Sequence, residues 1–138
     1  MNKSDIQKTE AGPVLNTIIG TKIMGIKTEW SKRSPCPYCG DPMYGGGDHH
    51  RAYCTACGEW RYGPHKCYSA CMEDAWEPIE KLTDEEDLGF TLQVVPQLDE
   101  SKPTIYQARM GCGPWFIAAT MPLAICRMLL DYIHSIED

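Results

Sequence analysis

Cys36-Pro37-Tyr38-Cys39-Gly40 and Cys54-Thr55-Ala56-Cys57-Gly58 are two copies of one bracket, with fourteen residues between Cys39 and Cys54. Each pair places two thiolates on one tight loop, and two such loops supply the four sulfurs of a tetrahedral zinc site. The glycine after each pair suits a loop whose backbone reaches positive φ so that N–H groups can point at sulfur. The spacing therefore predicts a single structural Zn2+ held by Cys36, Cys39, Cys54 and Cys57, in a zinc ribbon over residues 34–66.

Competing chemistries for the same residues fail on context. Cys36-Pro37-Tyr38-Cys39 alone is also a dithiol redox sequence of the glutaredoxin type, with Val94-Val95-Pro96 as a faint echo of that family's cis-proline loop. That chemistry needs a buried strand before the first cysteine and a helix starting at it. Here Glu29-Trp30-Ser31-Lys32-Arg33-Ser34 precedes, and Gly40-Asp41-Pro42 would break such a helix. A nuclease built on paired C-x2-C ligands and a His/Asn set would use His49 or His50, but Asn2 and Asn16 are the only asparagines and neither falls in place. A catalytic zinc keeps one position for water, which four well-spaced cysteines leave no room for. His65, Cys67 and Cys71 form a further cluster that lacks a fourth ligand. The reading for them is a surface histidine and a Cys71 in a helix core, with Cys112 and Cys126 as small apolar residues.

Working outward, the chain has 138 residues and a net charge of −6. Setting aside the ribbon and a polar N-terminus leaves roughly a hundred residues, enough for one modest core. A zinc–tetrathiolate centre makes the balance still more acidic, which argues against a protein that coats nucleic acid. The N-terminus has no apolar signal region and no run approaches a membrane span, so eight cysteines in this setting favour metal over disulfides and a cytoplasmic location.

Residues 1–11 are polar and aperiodic, and are expected to be disordered. Pro13 opens a helix with Leu15, Ile18, Ile19 and Ile23 on one face, stopped by Gly25, and Ile26 to Trp30 reads as a short strand. Ser69 is the expected N-cap of a second helix carrying Met72, Ala75, Trp76 and Ile79, which Pro78 should kink or end. Thr83-Asp84-Glu85-Glu86-Asp87 reads as an acidic loop. Strands are expected at 90–95, 104–110 and 115–119, and a final helix after Thr120 buries Ile125, Met128, Leu129, Tyr132, Ile133 and Ile136. Helices flanking antiparallel strands imply a layered α+β core.

Lys22-Ile23-Met24-Gly25, Tyr68-Ser69 with Ala75-Trp76 and Glu80-Lys81-Leu82, and Met121-Pro122-Leu123-Ala124-Ile125-Cys126 resemble the phage ABA-sandwich domain, a family of small phage proteins. The resemblance covers roughly residues 13–30 and 67–136. It implies a three-layer α/β/α sandwich with a small antiparallel sheet, divided over residues 12–33 and 67–138, with the ribbon inserted between. Pro78 departs from the family pattern, which carries an aliphatic residue there. The family offers no shared catalytic residues to carry over.

No nucleophile–base pair, carboxylate dyad or open metal site is present, so the chain reads as a non-enzymatic binding protein. Tyr44, Arg51, Trp60, Arg61 and Tyr62 in the ribbon are of the types that dominate protein interfaces, and they mark the expected partner surface. By analogy with small phage proteins, the partner would be a host protein of the defence or transcription machinery, met in the host cytoplasm. One alternative is a sequestering protein for a nucleotide-type immune signal, with Arg109 and Trp115 lining an oligomer interface. Another is a nucleic-acid-binding ribbon. Residues 31–67 carry five basic and three acidic side chains, a surplus that the zinc–thiolate charge cancels, so that alternative is the weaker one.

Overall fold

The computed structural model describes residues 2–26, 35–41, 43–45, 52–61 and 65–137. In chain order the elements are α1 (Lys3–Gln7), α2 (Pro13–Lys22), β1 (Tyr44–Gly45), β2 (Ala52–Cys54), β3 (Glu59–Arg61), α3 (Met72–Glu86), β4 (Phe90–Val95), β5 (Ile105–Met110), β6 (Phe116–Ala118) and α4 (Met121–Glu137). Two antiparallel sheets, β1-β2-β3 and β4-β5-β6, accompany the helices. The ribbon sheet lies in sequence between α2 and α3, where the insertion is expected. The strand expected from Ile26 to Trp30 falls largely on residues 27–34, outside the described residues. No helix among the described residues is long and apolar enough to cross a membrane.

α4 is the organising element because its apolar positions repeat at helical spacing on more than one side. It buries Ala124, Ile125, Cys126, Met128, Leu129, Leu130 and Ile133, while Ile136 near its end is 59% exposed. Its start follows the sequence reading, with the Thr120 Oγ1 accepting from the Leu123 N–H at 3.4 Å. α4 packs across β5 and β6 and also receives α1, α2 and α3. Register places Phe90 opposite Met110, Leu92 opposite Ala108 and Ala108 opposite Phe116, all in or against the core. The alternate positions, including Thr91, Gln93 and Ile117, are exposed on the other face. Helix–sheet contact comes mainly from α4, with a smaller share from α1 at β6. A second helical layer on the outer face does not appear among the described contacts.

Four local readings differ from the sequence expectation, each for a tertiary reason. Residues 3–7 are helical, with Asn2 and Asp5 forming a reciprocal capping box and Ile6 buried at 1% exposure. Ile6 is the one apolar side chain in a polar stretch, too little for a periodicity to show. Ser69 does not cap α3, which starts after Cys71. Its hydroxyl instead donates to Asn16 Oδ1 at 2.7 Å and accepts from the Gly12 N–H at 3.0 Å, joining the approach to α3 to the start of α2. Pro78 removes one helical hydrogen bond, yet α3 runs through it to Glu86 because Ala75, Pro78, Ile79 and Leu82 are all buried. Most of the expected acidic loop is thus the last turn of α3, closed by Asp87 at φ 54°.

The edge of β6 is closed by side chains. Gln7 donates from Nε2 to the Trp115 carbonyl at 3.1 Å and accepts the Ile117 N–H on Oε1 at 3.2 Å, as a neighbouring strand would. Arg127 Nη1 donates to the Ile117 carbonyl at 2.6 Å. α1 therefore acts as the edge guard of this strand.

Gly20, buried within α2, carries the His65 ring against it. A Cβ at this position would collide with His65 Nδ1 and lie 2.8 Å from Cγ. Glycine to alanine inside a helix normally stabilises by about 1 kcal/mol. Here Gly20→Ala is expected to destabilise by roughly 1–3 kcal/mol through overpacking, and His65→Ala in the same chain should relieve it. Denaturant titration of the single and double variants checks the sign.

Candidate metal centre and its junction with the core

Two knuckles with the same backbone bring the four cysteines together. The Gly40 N–H donates to the Cys36 carbonyl at 2.9 Å and the Gly58 N–H to the Cys54 carbonyl at 2.8 Å. Both glycines have positive φ, 78° and 70°, which a side chain would strain. Within each knuckle an N–H points at sulfur: Tyr38 N to Cys36 Sγ and Cys57 N to Cys54 Sγ, both at 3.4 Å. Strands β2 and β3 hold the second knuckle between them, with Cys54 opposite Glu59.

The four sulfurs lie within 4.8 Å of one another. Cys36 and Cys57 are 3.9 Å apart and Cys39 and Cys54 are 3.4 Å apart. A tetrahedron with metal–sulfur bonds of about 2.3 Å has sulfur–sulfur edges of about 3.8 Å, so one zinc ion fits this set. Such a site is closed: four protein sulfurs leave no position for water or substrate. Among the described residues this is the only group of three or more potential ligands at such spacing. His65, Cys67 and Cys71 are not brought together as a second site.

The thiols show why a cation belongs here. Burial raises Cys36, but N–H groups of Cys39 and Tyr38 and the Arg61 guanidinium outweigh it and bring that thiol down to about 6. Cys39 is lowered by the backbone at Asp41, yet sulfur neighbours led by Cys54 push it up to about 12. Four thiolates this close repel, and a divalent ion is what allows all four to ionise together.

Arg61, expected on the partner surface, is tied into the metal centre. Burial alone would lower its pKa, but the charge and proximity of the Cys36 and Cys57 sulfurs hold the guanidinium above the usual arginine range. It also stacks on the Tyr38 ring at 4.0 Å. This is the outer-sphere support that neutralises part of a zinc–thiolate charge. Trp60, next to it, is 39% exposed and meets Tyr53 edge-on at 5.2 Å. Tyr44 lies on β1 opposite Tyr53. Arg51 and Tyr62 lie outside the described residues. Arg109 and Trp115 do come together, the guanidinium 4.4 Å from the ring centre.

Tyr38 is the residue whose role the sequence hid. It sits inside the first knuckle, but its hydroxyl donates to Asp74 Oδ2 of α3 at 2.6 Å and accepts the Cys67 N–H at 2.6 Å. Cys67 N also reaches Asp74 Oδ2 at 3.2 Å, and Asp74 is 6% exposed. Burial and the Asp74 carboxylate hold the phenol well above its ordinary value. Lys66 adds a 2.6 Å ion pair to Glu77 one turn along. A tyrosine between two cysteines reads as cover for the metal, and nothing local in the sequence points it at a residue thirty-six positions away.

Between ribbon and core lies a pocket of about 400 Å3, with Tyr38, Trp60 and Arg61 on one side and Gly12, Pro13 and Thr17 on the other. His65 also lines it. Burial lowers the pKa of that ring, and neither ring nitrogen has a hydrogen-bond partner among the described residues. This contrasts with the surface position expected for it.

Metal analysis is expected to return one zinc per chain, and Cys54→Ser to release it. Tyr38→Phe should keep the zinc but cost about 1–3 kcal/mol, because Asp74 stays buried with one partner fewer. Zinc stoichiometry and denaturant unfolding of the two variants separate these effects. No protein-family model, curated protein or solved structure matches the chain.

Proposed function

We propose that this chain is a non-enzymatic binding protein in which a structural zinc ribbon, docked on the helical core, presents a recognition surface to a protein partner. The observation that carries this reading is a four-sulfur set within 4.8 Å beside an exposed Trp60. The metal is saturated by its cysteines, so its work is to hold β3 and the knuckle that frames the junction pocket. Trp and Tyr on a stiff support are favourable interface anchors, since little side-chain freedom is lost on binding.

The phage setting, the host protein as partner and the three-layer sandwich enter this reading from the resemblance to phage ABA-sandwich proteins. In that setting the chain occupies a component of the host's defence or transcription machinery in the host cytoplasm. Affinity capture from lysates of bacterial hosts tests it. Wild type is expected to retain a host protein that Trp60→Ala loses at unchanged zinc content. Retention of nothing, or retention indifferent to Trp60, contradicts the proposal.

The stacked Arg109–Trp115 pair favours one second reading, sequestration of a nucleotide-type signal. In it an aromatic face and a cation meet the base and phosphate. Calorimetry against a nucleotide panel, with Arg109→Ala as control, separates it from the first.

A further inference from the structure

The two edges of the core sheet are treated differently. The β6 edge is sealed by Gln7 and Arg127. β4 is the opposite outer strand and, among the described residues, pairs on one side only, with β5. Its sequence, Phe90-Thr91-Leu92-Gln93-Val94-Val95, carries no charge and no proline, and its register with β5 runs unbroken over all six residues. Charges, prolines and bulges are the usual means of blunting an edge, and β4 has none of them.

Beside this edge runs a groove of about 500 Å3 between β4 and α3. Phe90 and Leu92 line it from the strand, and Trp76, Ile79 and the exposed Glu80 and Asp84 line it from the helix. Trp76 is 43% exposed, and Val94, next along the same side of the strand, is 54% exposed. Neither Glu80 nor Asp84 has an ion-pair partner among the described residues. Lys81, the one cation of α3, is bonded to Glu85 at 3.1 Å.

We propose that the β4 edge and the α3–β4 groove together form a site for strand addition, and that its occupant is an extended, basic segment of a partner protein. A strand laid about 4.8 Å from β4 would satisfy the outward backbone groups. Its alternate side chains would enter the groove. Apolar ones cover Phe90 and Leu92, while lysine or arginine stems lie along Trp76 and Ile79 and carry their charges to Glu80 and Asp84. A second copy of this chain is disfavoured as occupant: edge-to-edge pairing would set like acidic residues together on chains of net charge −6. The site stands apart from the ribbon and does not depend on the ribbon's role.

The probe is a short synthetic peptide in which threonine alternates with lysine and isoleucine, labelled with fluorescein. Its control has the same length and lysine content, with proline in place of threonine or isoleucine at the positions that must donate N–H groups. Anisotropy should show saturable binding of the first peptide and none of the second. Glu80→Lys with Asp84→Lys, both exposed positions, should weaken binding by roughly tenfold or more. Amide shifts and new exchange protection should centre on Phe90–Val95. Equal binding of the proline peptide, shifts centred elsewhere, absence of saturation, or self-association of the free protein through β4 would each overturn the proposal.

Discussion

Four cysteine sulfurs within 4.8 Å of one another are a constraint that the rest of the ribbon obeys. Like charges at that spacing cannot coexist without a cation, and neutral thiols at that spacing gain little that would hold two loops together. Once a divalent ion is present the two knuckles become one rigid unit, and strands as short as β1, β2 and β3 become stable enough to carry side chains in set positions. Metal-binding free energy here is folding free energy for the ribbon. Arg61 belongs to that unit because it meets both the sulfurs and the Tyr38 ring.

The constraint extends into the core through a few polar contacts. Tyr38 leaves the first knuckle and reaches Asp74 on α3, Lys66 reaches Glu77, and His65 lies against Gly20 of α2. Around α4 the core itself is apolar, with helices gathered on one side of a three-stranded sheet. The cysteine cluster is therefore mechanically continuous with α3, although the two lie in different stretches of sequence.

What the sequence displayed was the information that is local. The two C-x2-C-G brackets determine their own loop geometry, so the convergence of the four cysteines was legible from spacing alone. The α4 repeat, the opening of α2 at Pro13 and the β4, β5 and β6 segments were legible for the same reason. What stayed hidden depends on residues far apart. Ser69 has the chemistry of a cap, but Asn16 and Gly12 claim its hydroxyl and amide first. Ile6 finds a core that no neighbour in sequence announces. Pro78 is tolerated because burial on α3 outweighs one lost hydrogen bond. Helices with a small antiparallel sheet were legible from periodicity, whereas the side on which the helices gather follows from which face α4 covers.

Four cysteine sulfurs at this spacing close a tetrahedral zinc site without any other ligand. X-ray absorption at the zinc edge of the purified protein tests it most directly. Four sulfur neighbours at about 2.3 Å and no lighter ligand are expected. A first shell containing nitrogen or oxygen, or fewer than four sulfurs, would contradict it.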